Sequence, residues 1–143
     1  MDYHSAGGIV FHSSTKVRKY LVLYQKRKSG ETQWVFPKGR VEIHETSEQA
    51  AIREIREESG LKHLSIVGFV GAQNYKFLEA NGVQSKKTVD WFLVEAKRPN
   101  ELSLARKEGF LRSRWIDFEQ ATRVLTHPAF HPYLRKAHKM KSA

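Results

Sequence analysis

The sequence predicts a single α/β domain over residues 1–143. Short runs of β-branched, leucine and aromatic residues indicate strands, and one segment between them has apolar residues at helical spacing. The length suits one domain with its own hydrophobic core. Hydrophobic residues make up 40% of the chain and charged residues 28%, which is typical of a globular protein.

Two strands are expected at residues 3–12 and 20–25, because both segments are rich in aliphatic and aromatic residues. Residues 34–36 form a third, shorter apolar run. Pro37 cannot donate a backbone hydrogen bond to a sheet, and Gly39 is expected to interrupt regular structure. The chain is therefore expected to enter a loop at Pro37.

A helix is predicted over residues 47–59. The apolar residues at helical spacing are Ala51, Ile52 and Ile55. Thr46 and Gln49 have the spacing of a capping box, which satisfies the first backbone donors of a helix. Gly60 favours the left-handed conformation in which many helices end.

The C-terminal half predicts a hairpin of two strands, over residues 64–78 and 87–96. A further strand is expected at 112–116, and Asp117 is a suitable N-cap for a helix over 118–125. No element is assigned to the basic tail that follows.

The absence of cysteine excludes disulfides, thiolate zinc sites and cysteine nucleophiles, so any metal must bind oxygen or histidine ligands. His127 and His131 are expected to make loop and tail contacts, because no third zinc ligand is evident. The N-terminus lacks an export signal, and no stretch approaches the roughly 18 apolar residues of a membrane span. A cytoplasmic protein with no membrane partner is the simplest expectation.

The formal net charge of +10 favours a polyanionic partner. Basic clusters such as residues 16–19 and 26–28 fit a solvated surface equally well, so both interpretations stay open. Six of the 15 acidic residues lie between Glu42 and Glu58. This compact negative site within a basic protein suits cations together with phosphate.

Three carboxylates, those of Glu54, Glu57 and Glu58, share one face of the predicted helix. Like charges at this spacing destabilise a helix by about 0.2–0.5 kcal/mol per pair, and a bound cation would offset that cost. Oxygen ligands favour Mg²⁺, Mn²⁺ or Ca²⁺. The alternative is a solvated acidic face, helped by Arg53 and Arg56.

The surrounding residues 39–61 resemble the signature box of the Nudix hydrolase family. The matching positions are Gly39, Glu45, Arg53, Glu54, Ile55, Glu57, Glu58, Gly60 and Leu61. The resemblance extends to residues 6–11 before the box and 115–117 after it. It leaves only the tail beyond about Phe130 without a counterpart.

This resemblance implies an α/β/α sandwich with a mixed central sheet and a metal-dependent hydrolase that cleaves a phosphate to phosphate bond with water. The carboxylates of Glu54, Glu57 and Glu58 and the Gly39 carbonyl would hold divalent ions, Mg²⁺ or Mn²⁺. Arg53 would orient a glutamate, and Glu57 or Glu58 is a possible proton acceptor.

Nudix enzymes commonly add a catalytic glutamate from a loop before the strand that carries a late tryptophan. Glu95, Glu101 and Glu108 are the candidates, and Glu108 is preferred because it lies seven residues before Trp115. An ordinary solvated glutamate is the alternative for this position.

Residues 34–42 are similar to the corresponding segment of dinucleoside polyphosphate hydrolases. Tyr75 and residues 86–92 resemble a tyrosine and a basic strand that diadenosine polyphosphate hydrolases use around the phosphates and base. The resemblance implies Lys38, Tyr75 and Lys87 as substrate contacts, although Ser85 stands where that group often has a basic residue. Tyr75 and Trp91 are also compatible with simple packing.

The expected substrate is a phosphate-rich small molecule, namely a dinucleoside polyphosphate such as diadenosine tetraphosphate or hexaphosphate. The alternatives are pyrophosphate removal from an RNA 5′ end, favoured by the basic charge, and hydrolysis of diphosphoinositol polyphosphates or nucleoside triphosphates. A noncatalytic Nudix-fold binding module is a more distant alternative, because such modules often lose the metal glutamates that this chain retains.

Overall fold

The computed structural model describes residues 1–142. The elements of this part of the chain are β1 Asp2–His12, β2 Lys19–Lys26, β3 Thr32–Val35, β4 Lys38–Arg40, α1 Ser47–Ser59, β5 Leu64–Leu78, β6 Gln84–Ala96, β7 Phe110–Ile116, α2 Phe118–Val124 and α3 His131–Lys139. Short 3₁₀ turns lie at Pro99–Glu101, Arg106–Glu108 and Pro128–Phe130.

The strands form one mixed sheet in the order β3-β2-β1-β6-β5, with β4 paired to β1 and β7 paired to β2. Strands β1 and β6 run parallel from the Asp2–Lys86 pair to the Phe11–Glu95 pair. The other pairings are antiparallel. The predicted mixed sheet is confirmed.

Helices cover both faces of this sheet. Because alternate residues of a strand point to opposite faces, β1 contributes apolar residues to a cluster on each face. One apolar cluster joins Val10 of β1 to Ala51 and Ile55 of α1. The other joins Ile9 of β1 to the helices on the far face; its helical members are Ala121, Leu134 and Ala137. The two clusters confirm the predicted α/β/α sandwich.

Helix α1 spans the predicted residues. The Thr46 side chain accepts a hydrogen bond from the Gln49 backbone, and the Gln49 side chain accepts one from the Thr46 backbone. Gly60 follows the helix in the left-handed conformation, with φ of 82°. The capping box and the helix end were therefore both predicted correctly.

The expected loop after Pro37 is wrong for residues 38–40, which form strand β4. Strand β2 pairs with β1 only at the far end of β1, through Phe11 and His12. The backbone groups of β1 residues 5–7 on the same side are satisfied by β4 instead. Gly39 therefore lies inside a short strand, opposite Ala6.

The basic tail contains helix α3, to which the sequence assigned no element. Its residues Leu134 and Ala137 are fully buried against the sheet. Arg18 donates hydrogen bonds to the carbonyl oxygens of Ala137 at 3.2 Å and Met140 at 2.6 Å, at the end of α3. Part of the 16–19 basic cluster is thus structural. Within residues 1–142, no helix is both long and apolar enough to cross a membrane.

Candidate active site

The candidate site lies where α1 faces β4. The carboxyl group of Glu54 lies directly over the backbone of Gly39, and a Cβ atom added at Gly39 would overlap it. Only glycine permits this close approach. The two motif residues, 15 positions apart in the chain, therefore depend on each other for their placement.

Arg53 joins the loop before α1 to the helix. Its Nε donates to Glu45 Oε2 at 2.7 Å, and its Nη2 donates to Glu45 Oε1 at 3.0 Å and to the Arg40 carbonyl at 2.8 Å. The hydrogen bonds from Arg53 lower the pKa of Glu45 to about 2. The hydrogen bonds to Glu45 are the main cause that raises the pKa of Arg53, and Glu54 adds to this effect.

Arg53 also contacts two of the three helix carboxylates. Its Nη1 donates to Glu54 Oε1 at 2.8 Å and to Glu57 Oε2 at 3.3 Å. The Glu54 side chain is 14% exposed, whereas the Glu57 side chain is 52% exposed. Arg53 thus holds Glu54 in place, and Glu57 reaches into solvent.

Glu58 is the most buried of the helix carboxylates, at 5% exposure. Burial, with the neighbouring Glu54 carboxylate adding to it, raises the pKa of Glu58 to about 9. A nearby positive charge would favour the ionised form of Glu58. This pair of oxygen donors therefore suits a hard divalent cation.

Among residues 1–142, no three histidine, aspartate or glutamate side chains are gathered into a ready metal site. The structure places the Glu54 carboxyl group over Gly39 and close to Glu58, while the Glu57 side chain is half exposed. The carboxylate oxygens of Glu54 and Glu58 fit the divalent ion that the sequence implies. Glu57 is close enough along the helix to provide a further ligand.

A cavity of about 780 Å³ opens beside Glu58. Four of the predicted site residues line it together with Glu58: Lys38, Tyr75, Lys87 and Glu108. Lys87 lies opposite Tyr75 on the paired strand, with its Nζ 5.9 Å from the centre of the ring. Burial, reinforced by the charge of Lys87, lowers the pKa of Lys38 to about 8. The amino groups of Lys38 and Lys87 therefore share one cavity.

Glu108 lies in the 3₁₀ turn before β7, and its side chain is exposed. Its backbone N–H donates to the Ala105 carbonyl at 3.0 Å, which holds the turn. The structure places Glu108 on the same cavity as Glu58 and Lys38. Among residues 1–142, those that line this cavity do not include Arg53, Glu54 or Glu57.

Several cavity residues were not predicted from the sequence. They are Arg27, Phe77, His127 and Phe130. Phe130 packs edge-on against Trp91, with 5.7 Å between ring centres. The aromatic stretch around Pro128 was visible in the sequence, but nothing there indicated which cavity it would line.

Trp91 is a core residue, not a cavity wall. It is fully buried, and its indole N–H donates to Gln73 Oε1 at 2.9 Å. His127 accepts a hydrogen bond from the Ala129 backbone at 3.3 Å, and His131 begins helix α3. His127 thus has the expected loop position and also lines the cavity, which the sequence did not predict, and His131 lies in the tail.

A model of the NUDIX domain family matches residues 2–137. The asymmetrical bis(5′-nucleosyl)-tetraphosphatase of Mus musculus is 31% identical over 120 residues, which cover 81% of this chain and 77% of that protein. A Mycobacterium tuberculosis relative that bears the name mutator protein MutT4 is 36% identical over 93 residues, 63% of this chain. The chain covers 37% of that relative's length and 33% of the length of a Caenorhabditis elegans nudix hydrolase.

The fold is similar to that of solved structures as well. The crystal structure of Caenorhabditis elegans Ap4A hydrolase aligns with a TM-score of 0.71 and 26% identity, over 95% of this chain and 96% of that one. Because the family match spans nearly the whole chain, this protein belongs to the Nudix family.

Proposed function

We propose that this protein is a single-domain Nudix hydrolase that cleaves a pyrophosphate bond in a dinucleoside polyphosphate such as diadenosine tetraphosphate or hexaphosphate. One observation carries the proposal: a single cavity joins the buried carboxylate of Glu58 to two lysines and an aromatic wall. A carboxylate, cations and aromatic rings are the groups needed for cleaving, holding and stacking such a substrate.

The similarity to a murine enzyme named for bis(5′-nucleosyl) tetraphosphates supports this substrate class. A volume of about 780 Å³ is within the range of pockets that enclose most of a small ligand. The side chains of Tyr75, Phe77 and Phe130 offer aromatic surface on which a nucleobase could stack.

The proposed metal ligands are the Gly39 carbonyl and the carboxylates of Glu54, Glu57 and Glu58, which would hold Mg²⁺ or Mn²⁺. Such an ion, when bound, neutralises charge on the phosphates and lowers the pKa of a water molecule. Arg53 positions the Glu54 carboxylate through the hydrogen bond at 2.8 Å. The same nitrogen also donates to Glu57 at 3.3 Å, so Arg53 contacts two of the proposed ligands.

Lys38 and Lys87 are proposed to bind the phosphates, because both line the cavity and repel each other in the absence of an anion. Tyr75 beside Lys87 is proposed to contact the nucleoside. Glu108, on a turn that lines the cavity, is proposed to accept a proton from the attacking water, as are Glu57 and Glu58. The turn would have to move toward the helix when substrate binds.

The second candidate is pyrophosphate removal from an RNA 5′ end. The observation that favours it is the net charge of +10, which would attract the phosphate backbone of a nucleic acid.

The test is a comparison of kcat/KM for diadenosine polyphosphates, diphosphoinositol phosphates, triphosphorylated RNA and nucleoside triphosphates, each with Mg²⁺ and with Mn²⁺. We expect the highest value for a diadenosine polyphosphate with four or more phosphates, with a nucleoside triphosphate among the products. Much faster turnover of triphosphorylated RNA would replace this proposal with the second candidate.

A further inference from the structure

A second groove, which we name the basic groove, opens beside the cavity. Its volume is about 800 Å³, and its cationic lining residues are Lys26, Arg27, Lys28, Arg106 and Lys107. Two acidic side chains, Glu31 and Glu108, also line it. All seven of these residues are exposed. The groove therefore presents an excess of positive charge to solvent.

Backbone hydrogen bonds hold the two turns that form the basic groove side by side. The Lys26 N–H donates to the Gly109 carbonyl at 2.8 Å, and the Arg27 N–H donates to the Glu31 carbonyl at 2.8 Å. The Arg106 guanidinium donates to the Leu111 carbonyl at 3.0 Å, which directs this side chain. The cations are therefore brought together by the pairing of β2 with β7 and not by flexible loops alone.

The cations of the basic groove are available to an external anion. Among residues 1–142, the salt bridges within 4.0 Å involve other cationic residues, namely His4, Arg53, His63 and Lys97. Like charges collected without partners repel one another, and a bound polyanion relieves that repulsion. A solvated face formed by residues 26–28 alone would not include Arg106 and Lys107, which line the same groove from the neighbouring turn.

The basic groove is continuous with the cavity. Gln25, Arg27 and Glu108 line both. A phosphate chain held by Lys38 and Lys87 in the cavity can therefore pass Arg27 and continue among the groove cations. Arg27 therefore belongs to both sets of cations, those that line the cavity and those that line the basic groove.

We infer that the basic groove binds the distal phosphates of a dinucleoside polyphosphate, those beyond the bond that is cleaved, and so favours longer chains. This inference rests on the proposed function. Each added phosphate brings further negative charge into the groove, whereas a short chain ends before reaching it. The protein should consequently prefer diadenosine hexaphosphate to diadenosine triphosphate.

The test is the double charge reversal Lys28→Glu with Lys107→Glu, compared with a matched control, Lys16→Glu with Lys62→Glu. Lys16 and Lys62 are exposed and lie outside the lining of both spaces, and both double variants change the net charge equally. We expect kcat/KM for the hexaphosphate to fall about tenfold or more in the groove variant, and for the triphosphate to fall less than about threefold. The control should preserve both values.

Two further measurements separate binding from catalysis. The Kd of a methylene-bridged, uncleavable diadenosine hexaphosphate should rise about tenfold in the groove variant and stay constant in the control. Added NaCl should weaken binding of this analogue by the wild type more steeply than binding by the groove variant, since salt screens exposed charges.

Equal losses for long and short chains, or equal losses in the groove variant and the control, would overturn the inference while leaving the proposed function intact. A larger loss on triphosphorylated RNA than on the hexaphosphate would assign the groove to RNA and also overturn it. If the wild type turns over no dinucleoside polyphosphate, the proposed function is wrong and the inference fails with it.

Discussion

Arg53 donates two hydrogen bonds to the Glu45 carboxylate, from Nε at 2.7 Å and from Nη2 at 3.0 Å. The same carboxylate accepts a hydrogen bond from the Glu42 backbone at 3.0 Å. Glu45 therefore ties the loop between β4 and α1 to the helix that carries Glu54, Glu57 and Glu58. These contacts assign Glu45 a structural role, which is to hold the loop and Arg53.

Glu45→Gln should lower the free energy of unfolding at pH 7. The pKa of Glu45 falls from 4.5 to about 2 on folding, mainly through Arg53. Between these two values the unfolded chain binds more protons, so this contribution is complete above pH 4.5 and is lost as pH falls toward 2. The difference between wild type and variant, measured by urea unfolding, should shrink across that range.

The control for this prediction is Glu48→Gln, which removes an exposed carboxylate from the first turn of the same helix. Its effect on unfolding should be small at every pH. A Glu45 effect that stayed constant from pH 7 to pH 2 would argue against the Arg53 pairing as its cause.

Glu58→Gln should raise the melting temperature of the metal-free protein. Burial raises the pKa of Glu58 from 4.5 to about 9, so the folded wild type binds more protons than the unfolded chain between those values. Wild-type stability in EDTA should therefore fall as pH rises through this window, and the gain from Gln should grow from pH 5 to pH 8. Thermal unfolding of wild type and variant in EDTA across this pH range measures both the loss of wild-type stability and the gain from Gln.

The same variant should lose the stabilisation that Mg²⁺ or Mn²⁺ confers, because ligands that bind only the folded state raise its stability by mass action. Wild type should melt at a higher temperature in millimolar metal than in EDTA. An undiminished metal-induced shift in Glu58→Gln would remove Glu58 from the proposed ligand set.

Glu57→Gln should lower turnover by at least about 100-fold, because loss of an outer-shell partner alone typically costs 10- to 100-fold. Stability should change by less than about 0.5 kcal/mol, since the exposed Glu57 carboxylate repels its neighbours while contacting Arg53 at 3.3 Å. Steady-state kinetics and urea unfolding give the two values. Full activity in this variant would rule out Glu57 as a ligand.

Glu108→Gln should lower kcat by about 10- to 10⁴-fold, the span expected when a proton acceptor is lost. The turn is held by backbone hydrogen bonds, so stability should stay nearly constant. Glu119→Gln, an exposed glutamate at the start of α2, is the matched control. If both variants turned over substrate at the wild-type rate, Glu108 would be an ordinary surface residue.

Helix α1 shows how much local sequence can determine. The Thr46 and Gln49 cap, the apolar spacing and Gly60 act within a few residues of one another, so the helix and both its ends followed from the sequence. The grouping of Glu54, Glu57 and Glu58 on one face followed from the same 3.6-residue period. The box residues also identified the family.

Only the tertiary structure decided what lies opposite that helix. Strand β4 pairs with the part of β1 that β2 leaves unpaired, and α3 is held by burial of Leu134 and Ala137 and by Arg18 from the loop before β2. The placement of Lys38, Lys87 and Glu108 on one cavity, and of Arg106 beside Lys28, likewise joins residues far apart in sequence. Local periodicity carries no information on such pairings, because they depend on which backbone and apolar surfaces the rest of the chain leaves uncovered.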